Sequence, residues 1–108
     1  MSDNNEPTTG KSPLTAYLYT VNFSITRIEP ENGKYFTLEE MQSAVGGRIE
    51  IIPLEREGLE DLLLVVHEEG KLISLPLNIL GTIEWIRYYG ETDFISGNCI
   101  ICHPDLIR

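Results

Sequence analysis

Side chains that do chemistry are scarce in this sequence. Two cysteines, two histidines and one tryptophan are spread over 108 residues. Basic residues are few as well: eight Lys and Arg stand against seventeen Asp and Glu, a net charge of −9. That balance excludes a broad basic surface for a phosphate backbone, so nucleic acid is not expected as a direct partner. No apolar run approaches the roughly 20 residues that span a bilayer, which argues against a membrane partner. No basic segment followed by an apolar stretch opens the chain, so no secretory signal is read and the cytoplasm is the expected compartment.

Aliphatic residues are plentiful enough for an ordinary core. At 12.2 kDa the chain has the size of one small domain, able to bury roughly two thirds of its unfolded surface. The first thirteen residues, MSDNNEPTTGKSP, carry only Asp3, Glu6 and Lys11 as charges and leave −8 for the rest. This polar segment is expected to be a disordered tail, with residues 14–108 forming a single α+β domain.

The stretch Tyr35 to Leu54, YFTLEEMQSAVGGRIEIIPL, carries the clearest local information. Thr37 and Glu40 have the spacing of a capping box, and Phe36 with Met41 that of a hydrophobic staple. Leu38, Met41 and Val45 fall on one helical face, and Gly46 is placed for a left-handed C-terminal cap. Ile49 to Leu54 then reads as a strand whose Pro53 ends the pairing or lies on an edge.

Elsewhere the spacing predicts one strand over Tyr17 to Ile25, where apolar residues alternate, and a central strand in LLLVVH. The turn Glu68-Glu69-Gly70-Lys71 is expected to lead into LISLPL as the second arm of a hairpin. Asn78 is placed to cap a second helix bearing Ile79, Leu80, Ile83 and Ile86, which Gly81 weakens by about 1 kcal/mol relative to alanine. Phe94 to Cys102 reads as the last strand, with a bulge or kink at Gly97-Asn98. The expected fold is α+β in the order β-α-β-β-β-α-β: a small, mainly antiparallel sheet with two short helices packed on it.

Three of these segments, TLEEMQSAVGGRIEIIPL, LLVVHEEGKLISLPLN and DFISGNCIIC, together resemble a family of small bacterial, phage and mobile-element proteins, domain of unknown function 3846. The matching features lie at Thr37 to Gly47, Ile49-Glu50, His67 to Lys71, Leu75 to Asn78 and Ile95 to Gly97. The likeness spans roughly residues 35 to 102. It implies a small cytoplasmic protein of a phage, plasmid or conjugative element with no established enzymatic activity. The longer N-terminal strand and the Pro53 to Asp61 segment depart from the family pattern.

Candidate chemistry is thin. Cys99-Ile-Ile-Cys102-His103 spells the haem-attachment pattern, but on a strand these cysteines point to opposite faces and do not converge on a metal or a disulfide. A zinc site from Cys102, His103 and His67 lacks an obvious fourth ligand. Gly10-Lys11-Ser12 lacks the earlier glycine and the strand of a phosphate loop, and Asn22-Phe23-Ser24 is a glycosylation sequon by letter alone. No catalytic constellation, cofactor or metal is expected, and the chain is read as a non-enzyme. Trp85, Tyr88, Tyr89 and Arg87 form a candidate ligand site, where a nucleotide-like molecule would stack on the rings. Arg48, Lys71 and Arg87 are the cations available for its phosphates. Glu55, Glu57, Glu60 and Asp61 form a candidate partner-binding loop.

Two functions follow. The first is a protein-binding accessory factor that engages a host protein through its acidic surface, including one that antagonises a nucleic-acid-binding host factor. The alternative is a small-molecule binder at the aromatic site. An unpaired edge strand also offers a route to a homodimer.

Overall fold

The computed structural model describes residues 14–108, so the expected tail and Gly10-Lys11-Ser12 lie outside the described residues. Along the chain run β1 (Ala16–Tyr19), β2 (Ile25–Arg27), α1 (Leu38–Val45), β3 (Ile49–Leu54) and β4 (Leu62–His67). They are followed by α2 (Ile79–Tyr89), β5 (Cys99–Cys102) and a 3-10 turn at Pro104–Leu106. The strands form one sheet in the order β2-β1-β5-β4-β3, antiparallel at every step. Over the described residues the fold is α+β with five strands and two helices, as expected.

The two helices cover opposite faces of the sheet. Met41 and Val45 of α1 pack with Ala16, Val65, Ile100 and Cys102, while Tyr88 of α2 packs with Leu54, Leu64, Val66, Cys99 and Ile101. Successive residues of β5 therefore enter different cores, and so do Leu64 and Val65 of β4. This explains why LLLVV and CIIC are unbroken apolar runs: a strand covered on both sides has no solvent face on which to place polar residues. It also places Cys99 and Cys102 on opposite faces.

Two segments differ from the sequence reading. Tyr17 to Ile25 is not one strand but a hairpin, with Tyr19 opposite Ile25. The Thr20 N–H donates to the Ser24 carbonyl at 2.9 Å, the Thr20 and Ser24 hydroxyls lie 2.6 Å apart, and Phe23 takes φ 66°. Thr, Asn and Ser at the polar positions of the alternation are turn formers, and they win here over the period of two. The second difference is Leu72 to Leu77, where the turn runs on through Ser74 and an irregular stretch follows instead of a hairpin arm, apart from one bridge between Leu77 and Ser96. Both edges of β4 are already taken by β3 and β5, so no third strand can pair there. As a result Leu72, Ile73 and Leu77 stay exposed.

The capping box of α1 is present. The Glu40 N–H donates to Thr37 Oγ1 at 3.1 Å, and the Thr37 N–H donates to Glu40 Oε1 at 2.8 Å. Glu40 Oε2 accepts a further N–H from Glu31 at 2.9 Å, which ties the entering loop to the helix. Gly46 closes the other end at φ 87°, its N–H donating to the Gln42 carbonyl at 2.8 Å. β3 is an edge strand, where the missing N–H of Pro53 is tolerated.

The hydrogen bonds from Thr37 first, and then from Glu31, hold the Glu40 carboxyl below its ordinary 4.5. A carboxyl lowered in the folded state stabilises the fold above its unfolded pKa, and that contribution is lost as pH falls through the lowered value. Side-chain NMR titration of the folded protein is expected to give Glu40 a midpoint below 4.5, and Thr37→Ala is expected to move that midpoint upward.

Candidate functional site

The site begins with the anchoring of α2. Asn78 is fully buried; its Oδ1 accepts the Gly81 N–H at 2.9 Å, and its Nδ2 donates to the carbonyls of Tyr19 and Gly97, each at 2.9 Å. The Ile95 N–H donates to Thr82 Oγ1 at 2.9 Å, so residues 95–97 are bound to the first turn of the helix. Gly81 allows the close approach: a Cβ there would stand 2.9 Å from Cys99 Sγ. The residue that weakens α2 by propensity is thus the one that lets it rest on β5.

At the other end of α2 the aromatic residues divide. The Tyr88 ring is buried, and its hydroxyl donates to the Glu60 carbonyl at 2.6 Å. The Tyr89 hydroxyl donates to the Pro53 carbonyl at 2.5 Å and accepts the Glu55 N–H at 3.3 Å. Arg56 Nη1 donates to the Arg87 carbonyl at 2.7 Å. These bonds fasten the acidic loop to the helix while the side chains of Glu55, Glu57, Glu60 and Asp61 remain in solvent. Arg87 reaches Glu84 at 2.8 Å with its guanidinium 5.9 Å from the centre of the Tyr88 ring, and it lines neither of the hollows beside Trp85. Trp85 and Tyr89 do come together, their ring centroids 4.7 Å apart, with Trp85 Nε1 donating to Thr92 Oγ1 at 2.9 Å.

Beside Trp85 opens a cleft of about 390 Å³. Ile52, Val66, Phe94 and Ile95 contribute apolar walls, and Glu50, His67, Glu68, Lys71 and Asp93 stand around them. The cleft is bounded by β3, the end of β4, the turn after it, Trp85 of α2 and the segment Asp93 to Ser96. A shallower groove of about 460 Å³ continues from it along Pro53, Glu55, Tyr89 and Thr92, sharing Ile52 and Trp85. Carboxylates therefore flank an apolar floor at both ends. Lys71 is paired with Asp93, and its ammonium sits 4.7 Å from the centre of the Phe94 ring. That pairing is the first cause holding the Asp93 carboxyl below its ordinary range, ahead of the Phe94 N–H.

Trp85 and Tyr89 lie together as their spacing predicts, and no expectation from the sequence gathered Glu50, Ile52, Glu68, Asp93 and Phe94 beside Trp85. The legible signal was the alternation on β3, which places Glu50 and Ile52 on one face.

The cysteine and histidine candidates are separated. Burial pushes both thiols up to about 12, which keeps them protonated at neutral pH. Leu63 is the partner of Cys102, and His67 lies four residues further along β4, about 13 Å away at strand spacing. Each histidine accepts a backbone N–H at Nδ1, His67 from Glu69 and His103 from Asp105, both at 3.0 Å. Among the described residues no group of three His, Cys, Asp or Glu is placed to hold a metal, and no helix is long and apolar enough to cross a membrane.

No curated protein and no solved structure matches this chain. A family model does, over residues 17–106, a span that takes in both helices, the cleft and all of the sheet but the first residue of β1. The capping box, the turn that carries Lys71 and the buried Asn78 all fall within it, and the chain belongs to the family described as domain of unknown function (DUF3846).

Proposed function

We propose that this protein is a non-enzymatic, cytoplasmic accessory factor of a phage, mobile element or bacterial host. It binds a protein partner through the cleft and groove beside Trp85, and the part of the partner it takes is a basic, apolar segment. The observation that carries this reading is the pairing of an apolar floor, Ile52 with Trp85 and Phe94, with carboxylates at Glu50, Glu55, Glu68 and Asp93. Burial of apolar surface supplies affinity, and the carboxylates select positive charge and speed encounter. A surface that binds nucleic acid is basic, so a nucleic-acid-binding host factor fits as the partner to be antagonised.

The nucleotide alternative has the Trp85 and Tyr89 rings in its favour, but the rim of the cleft beside them sets Glu50, Glu68 and Asp93 against Lys71. Arg48 faces Glu68 at 3.4 Å, Arg87 faces Glu84 at 2.8 Å, and Lys71 is paired with Asp93. Phosphates entering the cleft would meet an excess of carboxylates, Glu50, Glu68 and Asp93.

Trp85 is the single tryptophan, so its emission reports on the cleft directly. Titration with a blocked decapeptide alternating leucine and arginine is expected to shift that emission. Raising salt from 50 to 500 mM is expected to weaken binding roughly tenfold, as screening predicts for charges at a rim. ATP is expected to leave the emission unchanged. A shift with ATP and none with the peptide would transfer the site to the nucleotide reading.

A further inference from the structure

We propose that Lys71 is a resident substitute for the partner's cation: Asp93 and the Phe94 ring form a recognition site for an arginine side chain, which binds by displacing the Lys71 ammonium. The inference rests on the binding reading above and assigns its selectivity. The site is defined by what occupies it in the free protein. A carboxylate and an aromatic face meeting one ammonium is the arrangement by which proteins recognise alkylammonium and guanidinium groups. Here the two groups are adjacent residues of the segment after α2, Lys71 reaching Asp93 Oδ1 and lying over Phe94.

Three features make the exchange favourable. The Lys71 and Asp93 side chains are 47% and 43% exposed, so water screens their attraction and the pair is easily opened. The Asp93 carboxylate is held in place independently of Lys71, because Oδ1 also accepts the Phe94 N–H at 2.8 Å. An arginine side chain makes better use of the site than lysine, since its planar fork can engage a carboxylate through two N–H donors while its face stacks on a ring. Leu72, 84% exposed, and Phe94, 47% exposed, lie at the same cleft and give the residues flanking that arginine an apolar surface. Glu50 and Glu68 on the same rim complement further positive charge.

The test is titration of the leucine–arginine decapeptide against the full chain and three variants, read by Trp85 emission. Lys71→Met is expected to tighten binding about threefold to fivefold, the size of a half-exposed ion pair removed as a competitor. Lys34→Met, which removes the same charge from a turn on the opposite side of the sheet, is expected to change it by less than about twofold. Asp93→Asn is expected to weaken binding, and adding Lys71→Met to it is expected to give no gain. If the peptide binds but Lys71→Met does no more than Lys34→Met, or keeps its gain in the Asp93→Asn background, the displacement idea is overturned and the broader reading survives. If no form of the protein binds the peptide, both fall together.

Discussion

Asn78→Leu is expected to lower stability by about 3 kcal/mol or more, seen in thermal unfolding as a fall in Tm of roughly 12 to 24 °C. Loss of a helix N-cap alone accounts for about 1 kcal/mol. The remainder comes from the other side of the amide. Nδ2 satisfies the Tyr19 and Gly97 carbonyls in a site with no solvent access, and leucine leaves both oxygens buried without that donor. Asn78→Asp separates the two contributions. Aspartate caps helices as well as asparagine does, yet here it sets a carboxylate against two carbonyl oxygens, so a loss at least as large is expected. A variant with the stability of the parent would show that Asn78 acts as a cap and nothing more.

The second large effect concerns adjacent residues of β5. Ile100→Ala and Ile101→Ala are each expected to destabilise the protein by about 2 to 5 kcal/mol, measured by chemical denaturation. Ile100 is 1% exposed in the α1 core and Ile101 is 4% exposed in the α2 core, so each truncation opens a cavity in a different layer. An antiparallel sheet with one wet face would make one of the pair nearly neutral. Equal costs on both sides are the signature of the two-sided sheet.

What could be read without coordinates was local. Thr37, Glu40 and Gly46 declare a helix start and stop because their hydrogen bonds are made within a few residues, and Pro53 declares an edge because it lacks a donor. The period of two also put Cys99 and Cys102 on opposite faces. The hairpin at Thr20 to Ser24 was hidden because its positive φ falls on Phe23, without the glycine that normally signals such a turn. Leu72 to Leu77 misled for another reason: an apolar run suggests a strand, but only the sheet order shows that β4 has no free edge. The candidate site was half legible. Trp85 and Tyr89 are one helical turn apart and meet, as spacing predicts, whereas the Tyr88 hydroxyl and Arg87 are drawn to the Glu60 carbonyl and to Glu84. The carboxylates come from β3, the turn after β4 and the segment after α2, which only the tertiary fold brings together.

The acidic loop and the cleft make different claims about where the working surface lies. The loop holds Glu55, Glu57, Glu60 and Asp61 on a backbone fastened by Tyr88 and Tyr89, and only Glu55 reaches the groove. Charge alone would favour the loop. Apolar area beside charge favours the cleft, because rim charges contribute little affinity without a desolvated centre.

The cleft is tested most directly as the binding surface by an NMR map of the backbone amides and the Trp85 indole N–H of the isotopically labelled protein titrated with the leucine–arginine peptide. The largest shifts are expected on Glu50, Glu68, Lys71, Phe94, Ile95 and the Trp85 indole. Shifts confined to Glu55, Glu57, Glu60 and Asp61, with the Trp85 indole unmoved, would contradict that expectation.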